Sequence, residues 1–445
     1  MRRAVVLLVV LAGCGSSKAP EASKQRATAV PTPVPELTAA HACGKATCAT
    51  LKVPLDRSKP GGETLSLKVA VEGEDTAPVF VFLSGGPGEP GVPFITRVRK
   101  WLGPTADTVR IVAFDQRGTG GAALDCPDLQ KEMGASDLTP PTEDAVTGCA
   151  TDLGDRRQFF TTADTVDDLE ALRIALKADK LALDGISYGT YTAQRYALAY
   201  PKRVAALVLD SVVPAEGSSM LATTQMDAAS RIFGPSTTKA IAKVVKDQRL
   251  GPQLLDMLTA LSVGAPRDQG YIDAIHQAAA GDDASLQRWL TGVGKVVHRW
   301  PADQLSQGLH ASTLCADWPA PWGDASAPEN GREEAVNAAA DKLTEADMYP
   351  FDRGTATGNG FVLQCRYWPP VSVAKPAGPQ DLPNVPTLLL NGDRDLSTPY
   401  EWAKQALTHA PGGKLIIVKG AGHDVQDQGD PKALAAVRRL VASAG

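Results

Sequence analysis

Apolar residues form two distinct patterns in the first half of this chain. Residues 79–83 and 109–114 are short, nearly uninterrupted apolar runs rich in β-branched and aromatic side chains, as in strands buried on both faces of a parallel sheet. Residues 165–176 instead carry apolar side chains at helical spacing. The other elements predicted here are a hairpin strand at 65–71, a strand at 181–183, a helix at 192–200 and a strand at 204–209. This alternation of strands and helices predicts parallel βαβ units.

The pattern changes after residue 214. From residue 220 to residue 374 it is helical and amphipathic, and most of the tryptophans lie in this stretch. Strand-like runs return at residues 385–390 and 415–418, and a closing helix is predicted at 431–443. The second half therefore begins with a helical block and ends by resuming the earlier alternation.

We predict one α/β core that is interrupted by this helical block. The core comprises residues 41–214 and 376–445, and residues 215–375 form an inserted helical cap. A separate helical domain joined by a linker is the alternative.

The N-terminal residues predict export and attachment to a membrane. Residues 1–14 combine a positive start, an apolar run far shorter than the ~20 residues that span a bilayer, and Leu11-Ala12-Gly13-Cys14, which resembles a bacterial lipobox. Cys14 would then be diacylated and become the mature N-terminus, and an ordinary secretory signal is the alternative. Gly15 follows instead of Asp, so the inner-membrane retention signal is absent. Residues 15–40 are polar and rich in Pro, Ser and Ala, which predicts a disordered tether.

Composition and charge exclude some partners. The chain has 445 residues, of which 43% are hydrophobic and 21% charged, as in a globular protein with a substantial core. Its formal net charge of -5 comes without a basic stripe, so we expect no nucleic acid partner. We expect a monomer in the bacterial cell envelope, facing the exterior of the cytoplasmic membrane.

Cysteine usage agrees with export, because an even number beyond Cys14 suggests disulfides. These six residues are Cys43, Cys48, Cys126, Cys149, Cys315 and Cys365. Closeness in sequence favours pairing the first two, the middle two and the last two, although six cysteines allow fifteen pairings. Metal ligation is the weaker alternative, since no two of them have Cys-x-x-Cys spacing.

A candidate nucleophile lies in Gly185-Ile186-Ser187-Tyr188-Gly189, which matches Gly-x-Ser-x-Gly. In such an elbow the serine occupies a tight strand-to-helix turn, and the flanking glycines leave room for it. The pentapeptide follows a predicted strand and precedes a predicted helix, which is the required context. We therefore predict that Ser187 is the nucleophile of a serine hydrolase.

The base and the acid should follow the last strands, in the order Ser, Asp or Glu, His. His423, in a glycine-rich loop after residues 415–418, is the predicted base. Asp393 and Asp395 both follow residues 385–390, and Asp395 is the predicted orienting acid. For the remaining histidines a surface or core role is expected; they are His41, His276, His298, His310 and His409.

The predicted oxyanion hole has two backbone donors. The N–H of Tyr188 follows the nucleophile, and the N–H of Gly86 lies in Ser84-Gly85-Gly86-Pro87-Gly88 directly after a buried strand. Glycines there let the backbone approach the substrate closely.

Several motifs together resemble the proline iminopeptidase and tripeptidyl aminopeptidase family. They are Gly85-Gly86-Pro87-Gly88, Asp115-Gln116-Arg117-Gly118-Thr119-Gly120 and the pentapeptide around Ser187. Val53-Pro54-Leu55-Asp56 and Cys365-Arg366-Tyr367-Trp368-Pro369 resemble the secreted tripeptidyl aminopeptidase group, as does Ser84, which stands where the iminopeptidases carry His. The resemblance extends from about residue 43 to the end and is weakest over residues 215–310.

This resemblance implies an α/β-hydrolase fold and an exported exopeptidase that cleaves near the free N-terminus of peptides. Asp115 and Arg117 would brace the oxyanion loop through an ion pair. Acidic side chains would hold the substrate's amino group, with Asp317, Glu333 and Glu334 as candidates that no motif decides between. No metal or organic cofactor is implied. A carboxylesterase with the same triad and, less favoured, a non-catalytic binding lipoprotein are the alternatives.

Overall fold

The computed structural model describes residues 34–374, 378 and 380–444. The predicted signal peptide, Cys14 and most of the predicted tether lie outside the described residues.

A nine-stranded sheet runs through the core in the order β1-β2-β3-β5-β4-β6-β7-β8-β9. Strands β1, β2, β3 and β5 pair antiparallel with one another, and all other neighbours pair parallel. The strands are β1 Leu37–Cys43, β2 Ala46–Pro54, β3 Thr64–Glu72, β4 Val79–Leu83, β5 Arg110–Phe114, β6 Leu181–Ile186, β7 Val204–Asp210, β8 Thr387–Gly392 and β9 Gly413–Val418. Strands β4, β6 and β8 are buried along their whole length, which agrees with the uninterrupted apolar run that predicted β4. The result is the predicted α/β-hydrolase architecture, a mostly parallel sheet between helices.

The predicted tether was wrong at its C-terminal end. We expected residues 15–40 to lack regular structure, but β1 begins at Leu37 and pairs with β2, with Leu37 opposite Leu51. Because β1 is an edge strand with mostly exposed side chains, its residues need no apolar alternation. Pairing with β2, the next strand along the chain, therefore orders residues that look unstructured in sequence.

Helices cover both faces of the sheet. They are α1 Ile95–Leu102, α2 Pro127–Met133, α3 Glu143–Leu153, α4 Thr162–Ala175, α5 Tyr188–Ala199, α6 Thr223–Gln248, α7 Gly251–Gly264, α8 Gly270–Ala280, α9 Ala284–Val297, α10 Gln307–Asp317, α11 Arg332–Ala340, α12 Glu345–Met348, α13 Arg353–Gly358, α14 Gly360–Tyr367, α15 Tyr400–Thr408 and α16 Pro431–Ala444. One core cluster packs α4, α5 and α15 on the sheet, and another packs α1 and α16 on its other face. Among residues 34–374 and 380–444, none of these helices has the length and apolar character needed to cross a membrane.

Helices α6 to α14 lie between β7 and β8, and we call them the helical insertion. They share a hydrophobic cluster with α2 and α3 and with residues next to the nucleophile, including Tyr188. The insertion therefore packs directly on the end of the sheet that carries the candidate chemistry.

Three disulfides connect the six described cysteines as sequence proximity suggested. They join Cys43 to Cys48, Cys126 to Cys149 and Cys315 to Cys365. The last joins α10 to α14 inside the helical insertion.

Candidate active site

Ser187 occupies a strained turn between β6 and α5. Its φ is 55° and its ψ is -124°, a backbone conformation that non-glycine residues rarely adopt. Side chains at the two flanking positions would collide with backbone, because a Cβ at Gly185 would lie 2.4 Å from Gly189 O and one at Gly189 would lie 2.1 Å from Leu83 O. The helix starts at Tyr188, earlier than predicted, since the elbow feeds directly into it. The turn thus has the geometry of a nucleophile elbow.

The loop after β4 lies against Ser187. A Cβ built on Gly85 would be 3.2 Å from the Cβ of Ser187. Gly86 has a φ of +99°, which glycine adopts readily. In the described part of the chain, neither the Gly86 N–H nor the Tyr188 N–H donates a hydrogen bond. Two backbone donors are therefore free beside the serine, one of them at the positive end of α5.

Asp395, and not Asp393, contacts His423. The Nδ1 of His423 lies 3.0 Å from Asp395 Oδ2. The carboxylate is fully buried and accepts from both the N–H and the hydroxyl of Thr398, at 2.9 Å and 2.8 Å. Asp393 instead accepts from the N–H of Gly420 at 2.6 Å, while the Arg394 side chain donates to Pro266 O. Asp395 is thus held rigidly where it can orient the imidazole.

Carboxylates in β6 and β7 hold the loop of His423, and sequence reasoning missed them. Asp210 accepts from the backbone N–H groups of Val425 and Gln426, at 3.0 Å and 2.8 Å. Asp184 accepts from the side-chain amide of Gln426 at 3.0 Å. The same Asp210 accepts from Ser187 N–H through its carbonyl oxygen at 2.9 Å. One residue therefore anchors both the nucleophile and the base loop. The available signal was an aspartate in the second half of each of these two buried strands, β6 and β7.

This cluster of acids sets the protonation of His423. Burial lowers the pKa of His423, but attraction by the carboxylates of Asp395, Asp424 and Asp210 outweighs it and raises the pKa to about 9. Burial and repulsion from Asp184 in turn raise the pKa of Asp210 to about 7, and burial and repulsion from Asp210 raise the pKa of Asp424 to about 7. Burial, followed by repulsion from Asp424, likewise raises the pKa of Glu89, in the oxyanion loop, to about 7. The acidic surroundings therefore stabilise the imidazolium form of His423, which is the form that His423 adopts when it accepts a proton as a general base.

Ser187 Oγ makes no hydrogen bond to His423 within the described residues. Such contacts are often long in substrate-free enzymes and tighten in the Michaelis complex.

The prediction of an ion pair between Asp115 and Arg117 is wrong. Arg117 is buried and forms a bidentate pair with Asp168 on α4, at 2.7 Å for both contacts. Asp115 accepts from Val92 N–H at 2.9 Å, just beyond the oxyanion loop. Asp115 thus braces the loop by accepting a hydrogen bond from the backbone. The partner of Arg117 could not be recognised in the sequence, because Asp168 lies 51 positions further along the chain, on α4.

Three of the other five histidines make side-chain contacts outside the candidate site. His310 is buried between Gln364 and Asp137, at 2.8 Å and 2.9 Å. His276 contacts Thr237, and His409 contacts Asp381.

The acidic candidates for the amino group also differ in their surroundings. Asp317 is buried and accepts from Thr162 N–H at 2.7 Å, and the Thr162 hydroxyl meets Tyr188 OH at 2.7 Å. Burial, partly offset by the hydrogen bonds from Thr162, raises the pKa of Asp317 to about 6. Glu333 pairs with Arg366 at 3.4 Å. Glu333 and Glu334 are both exposed, whereas Asp317 is connected through Thr162 to Tyr188 of the nucleophile elbow.

No group of three His, Cys, Asp or Glu side chains within residues 34–374 and 380–444 is arranged to hold a metal ion.

Two family profiles match the chain, and the stretch between them, residues 255–348, lies within the helical insertion. One is described as alpha/beta hydrolase fold and matches residues 78–254, and the other is described as TAP-like protein and matches residues 349–444. The first includes Ser187, and the second includes both Asp395 and His423.

Three characterised relatives are similar over most of the chain. The tripeptidyl aminopeptidase of Streptomyces lividans is 26% identical over 430 residues, covering 84% of this chain and 77% of that protein. The serine protease Hip1 of Mycobacterium bovis is 27% identical over 446 residues, with coverage of 87% and 83%. The proline iminopeptidase of Neisseria meningitidis is 29% identical over 353 residues, with coverage of 79% and 84%. Each of these proteins is named as a peptidase.

Proposed function

Because the chain belongs to the α/β-hydrolases of the proline iminopeptidase and tripeptidyl aminopeptidase family, we propose that it is an exported serine exopeptidase acting near the free N-terminus of peptides. Its peptidase relatives support the reaction class, and Ser187, Asp395 and His423 are the proposed triad. The observation that carries the proposal is the 3.0 Å contact between His423 Nδ1 and Asp395 Oδ2, made beside a serine with a φ of 55°.

The first half of the reaction forms an acyl-enzyme. Ser187 Oγ attacks the scissile carbonyl carbon, and its proton passes to Nε2 of His423. The N–H groups of Gly86 and Tyr188 donate to the oxyanion that develops on the carbonyl oxygen; removing one such donor would slow the reaction about a hundredfold or more. His423 then gives the proton to the leaving nitrogen, and the C–N bond breaks.

The second half releases the N-terminal fragment. Water attacks the ester carbon, His423 takes the proton of the water, and Ser187 leaves as the alcohol after receiving that proton. Asp395 accepts the hydrogen bond from His423 Nδ1–H and stabilises the imidazolium. No step requires a metal or an organic cofactor.

Export and a lipid anchor at Cys14 complete the proposal. The three disulfides support an oxidising compartment outside the cytoplasm. A diacylated Cys14 would hold a monomeric enzyme at the outer side of the cytoplasmic membrane. Replacing Cys14 with Ser should move the protein from the detergent-extracted membrane fraction to the soluble fraction; an unchanged membrane fraction would refute the anchor.

Matched substrates test the reaction. Aminoacyl and tripeptidyl anilides are compared with the same compounds acetylated at the amino group, and with short-chain nitrophenyl esters. We expect turnover of the free-amine anilides, strong loss on acetylation, and no activity in Ser187→Ala. Turnover of the esters alone would make the protein a carboxylesterase, and equal turnover of free and acetylated anilides would refute recognition of the free N-terminus.

A further inference from the structure

The C-terminal turn of α7, in the helical insertion, contacts the two loops that carry the proposed acid and base. Ser262 is 5% exposed. Its carbonyl oxygen accepts from the N–H of His423 at 3.1 Å, and its Oγ accepts from the N–H of Leu396 at 3.1 Å. Leu396 directly follows Asp395. One insertion residue thus binds the backbone of the base and the backbone next to the acid.

This contact has a fixed geometry. The hydroxyl of Ser262 donates to Thr259 O at 2.7 Å, so its oxygen is oriented to accept from Leu396. On the other side, a Cβ at Gly422 would lie 1.9 Å from Ser262 O, so glycine is needed for the base loop to approach α7 this closely. The fit therefore depends on a hydroxyl on one partner and on the absence of a side chain on the other.

The segment after α7 adds further hydrogen bonds to the same loops. Arg267 donates to Gly420 O at 2.6 Å and to Lys419 O at 3.2 Å. In the opposite direction, Arg394 donates to Pro266 O. The base loop and the acid loop are thus both tied to residues 262–267.

We propose that Ser262 is a positioning residue, which holds Asp395 and His423 at their working separation by binding both loops from the helical insertion. The inference rests on the proposed triad. The acid and the base follow different strands, β8 and β9, so their separation depends on how the two loops are held. A shift of α7 would alter the contact between Asp395 and His423, which couples the position of the insertion to the strength of the base.

Replacing Ser262 with Ala removes the acceptor for Leu396 N–H and leaves the carbonyl contact to His423 in place. The loop of Asp395 then loses one of its restraints, and the carboxylate stabilises the imidazolium less well. We expect kcat to fall about tenfold, since small misplacements of reacting groups are costly. KM should change by less than about twofold, because Ser262 does not touch the substrate. The ascending limb of kcat against pH should move to lower pH, because a weaker contact with Asp395 raises the pKa of His423 less.

Thr259→Val is the matched control, because it removes a buried hydroxyl without a hydrogen-bond partner one turn earlier on the same helix. Its kinetics and pH profile should equal those of the wild type. The downfield proton resonance of His423 Nδ1–H gives a readout without substrate; it should shift or broaden in Ser262→Ala and stay unchanged in Thr259→Val. If the wild type cleaves esters and not peptides, the same measurements are made with esters, so failure of the proposed substrate class is distinguished from failure of this inference.

An unchanged kcat, an unmoved ascending limb or an unaltered resonance in Ser262→Ala would overturn the proposal. Circular dichroism checks that the variant is folded. If it is not, the exposed Arg267→Met variant removes two insertion contacts to the base loop without disturbing the core. A smaller shift of the limb in the same direction is expected there, and no shift would overturn the proposal.

Discussion

Replacing Asp184 with Asn should stabilise the protein in a strongly pH-dependent way. Asp184 is fully buried in β6, and its Oδ1 accepts from Gln426 Nε2 at 3.0 Å. The two remaining atoms of this pair, Asp184 Oδ2 and Gln426 Oε1, are both buried and both lack a partner. A proton on Oδ2 would supply the missing donor between them. An Asn side chain offers an N–H at the same place at every pH.

The size of this stabilisation follows from the raised pKa of Asp184. Burial, partly offset by the hydrogen bond from Gln426, raises the pKa of Asp184 from 3.8 to about 7. The stability that this carboxyl gives is fully present below pH 3.8 and is lost as the pH rises through about 7, because the unfolded chain releases the proton first. At about 1.4 kcal/mol per pH unit this loss amounts to about 4 kcal/mol, which the Asn variant avoids. The side-chain amide of the Asn variant has a second N–H without an acceptor, which costs about 1 kcal/mol. We therefore expect the free energy of unfolding of the variant to exceed that of the wild type by about 3 kcal/mol at pH 8.

Urea unfolding of both proteins at pH 4 and pH 8 measures this difference. The variant should be no more stable than the wild type at pH 4 and clearly more stable at pH 8. Asp152→Asn, on the exposed face of α3, is the control and should show no such trend. A variant that is less stable at pH 8, or a difference that does not change with pH, would refute a buried, protonated Asp184.

Three further results are expected. The ascending limb of kcat/KM against pH should lie well above the ordinary histidine range, because His423 acts as a base only when neutral and its pKa is raised to about 9; a plateau already reached at pH 7 would contradict this. Thr398→Val should lower kcat/KM about tenfold, measured with the best substrate, because Asp395 loses a hydroxyl donor at 2.8 Å; unaltered kinetics would argue against it. Gly189→Ala should lower the free energy of unfolding by more than about 3 kcal/mol, since its Cβ would lie 2.1 Å from Leu83 O; a wild-type melting temperature would exclude that close approach.

The features that could be predicted from the sequence depend on short stretches of chain. Nearly uninterrupted apolar runs predict the buried strands β4 and β5, and five consecutive residues predict the nucleophile elbow. The disulfides followed from proximity in sequence, which happened to match proximity in space.

The features that escaped prediction depend on contacts between distant residues. Asp184 and Asp210 bind a loop more than 200 positions away, and Ser262 looks like any serine at the end of an amphipathic helix. Arg117 was paired with its neighbour Asp115 because nothing in the sequence brings Asp168 close. In each case the hydrogen-bond partner, and not the local residue pattern, determines the role.

Labelling with a fluorophosphonate probe, followed by peptide mass spectrometry, identifies the nucleophile directly. We expect a single adduct on Ser187, formed in step with the loss of hydrolase activity, and none in Ser187→Ala. An adduct on another residue, or hydrolysis that persists in Ser187→Ala, would contradict the assignment of Ser187 as the nucleophile.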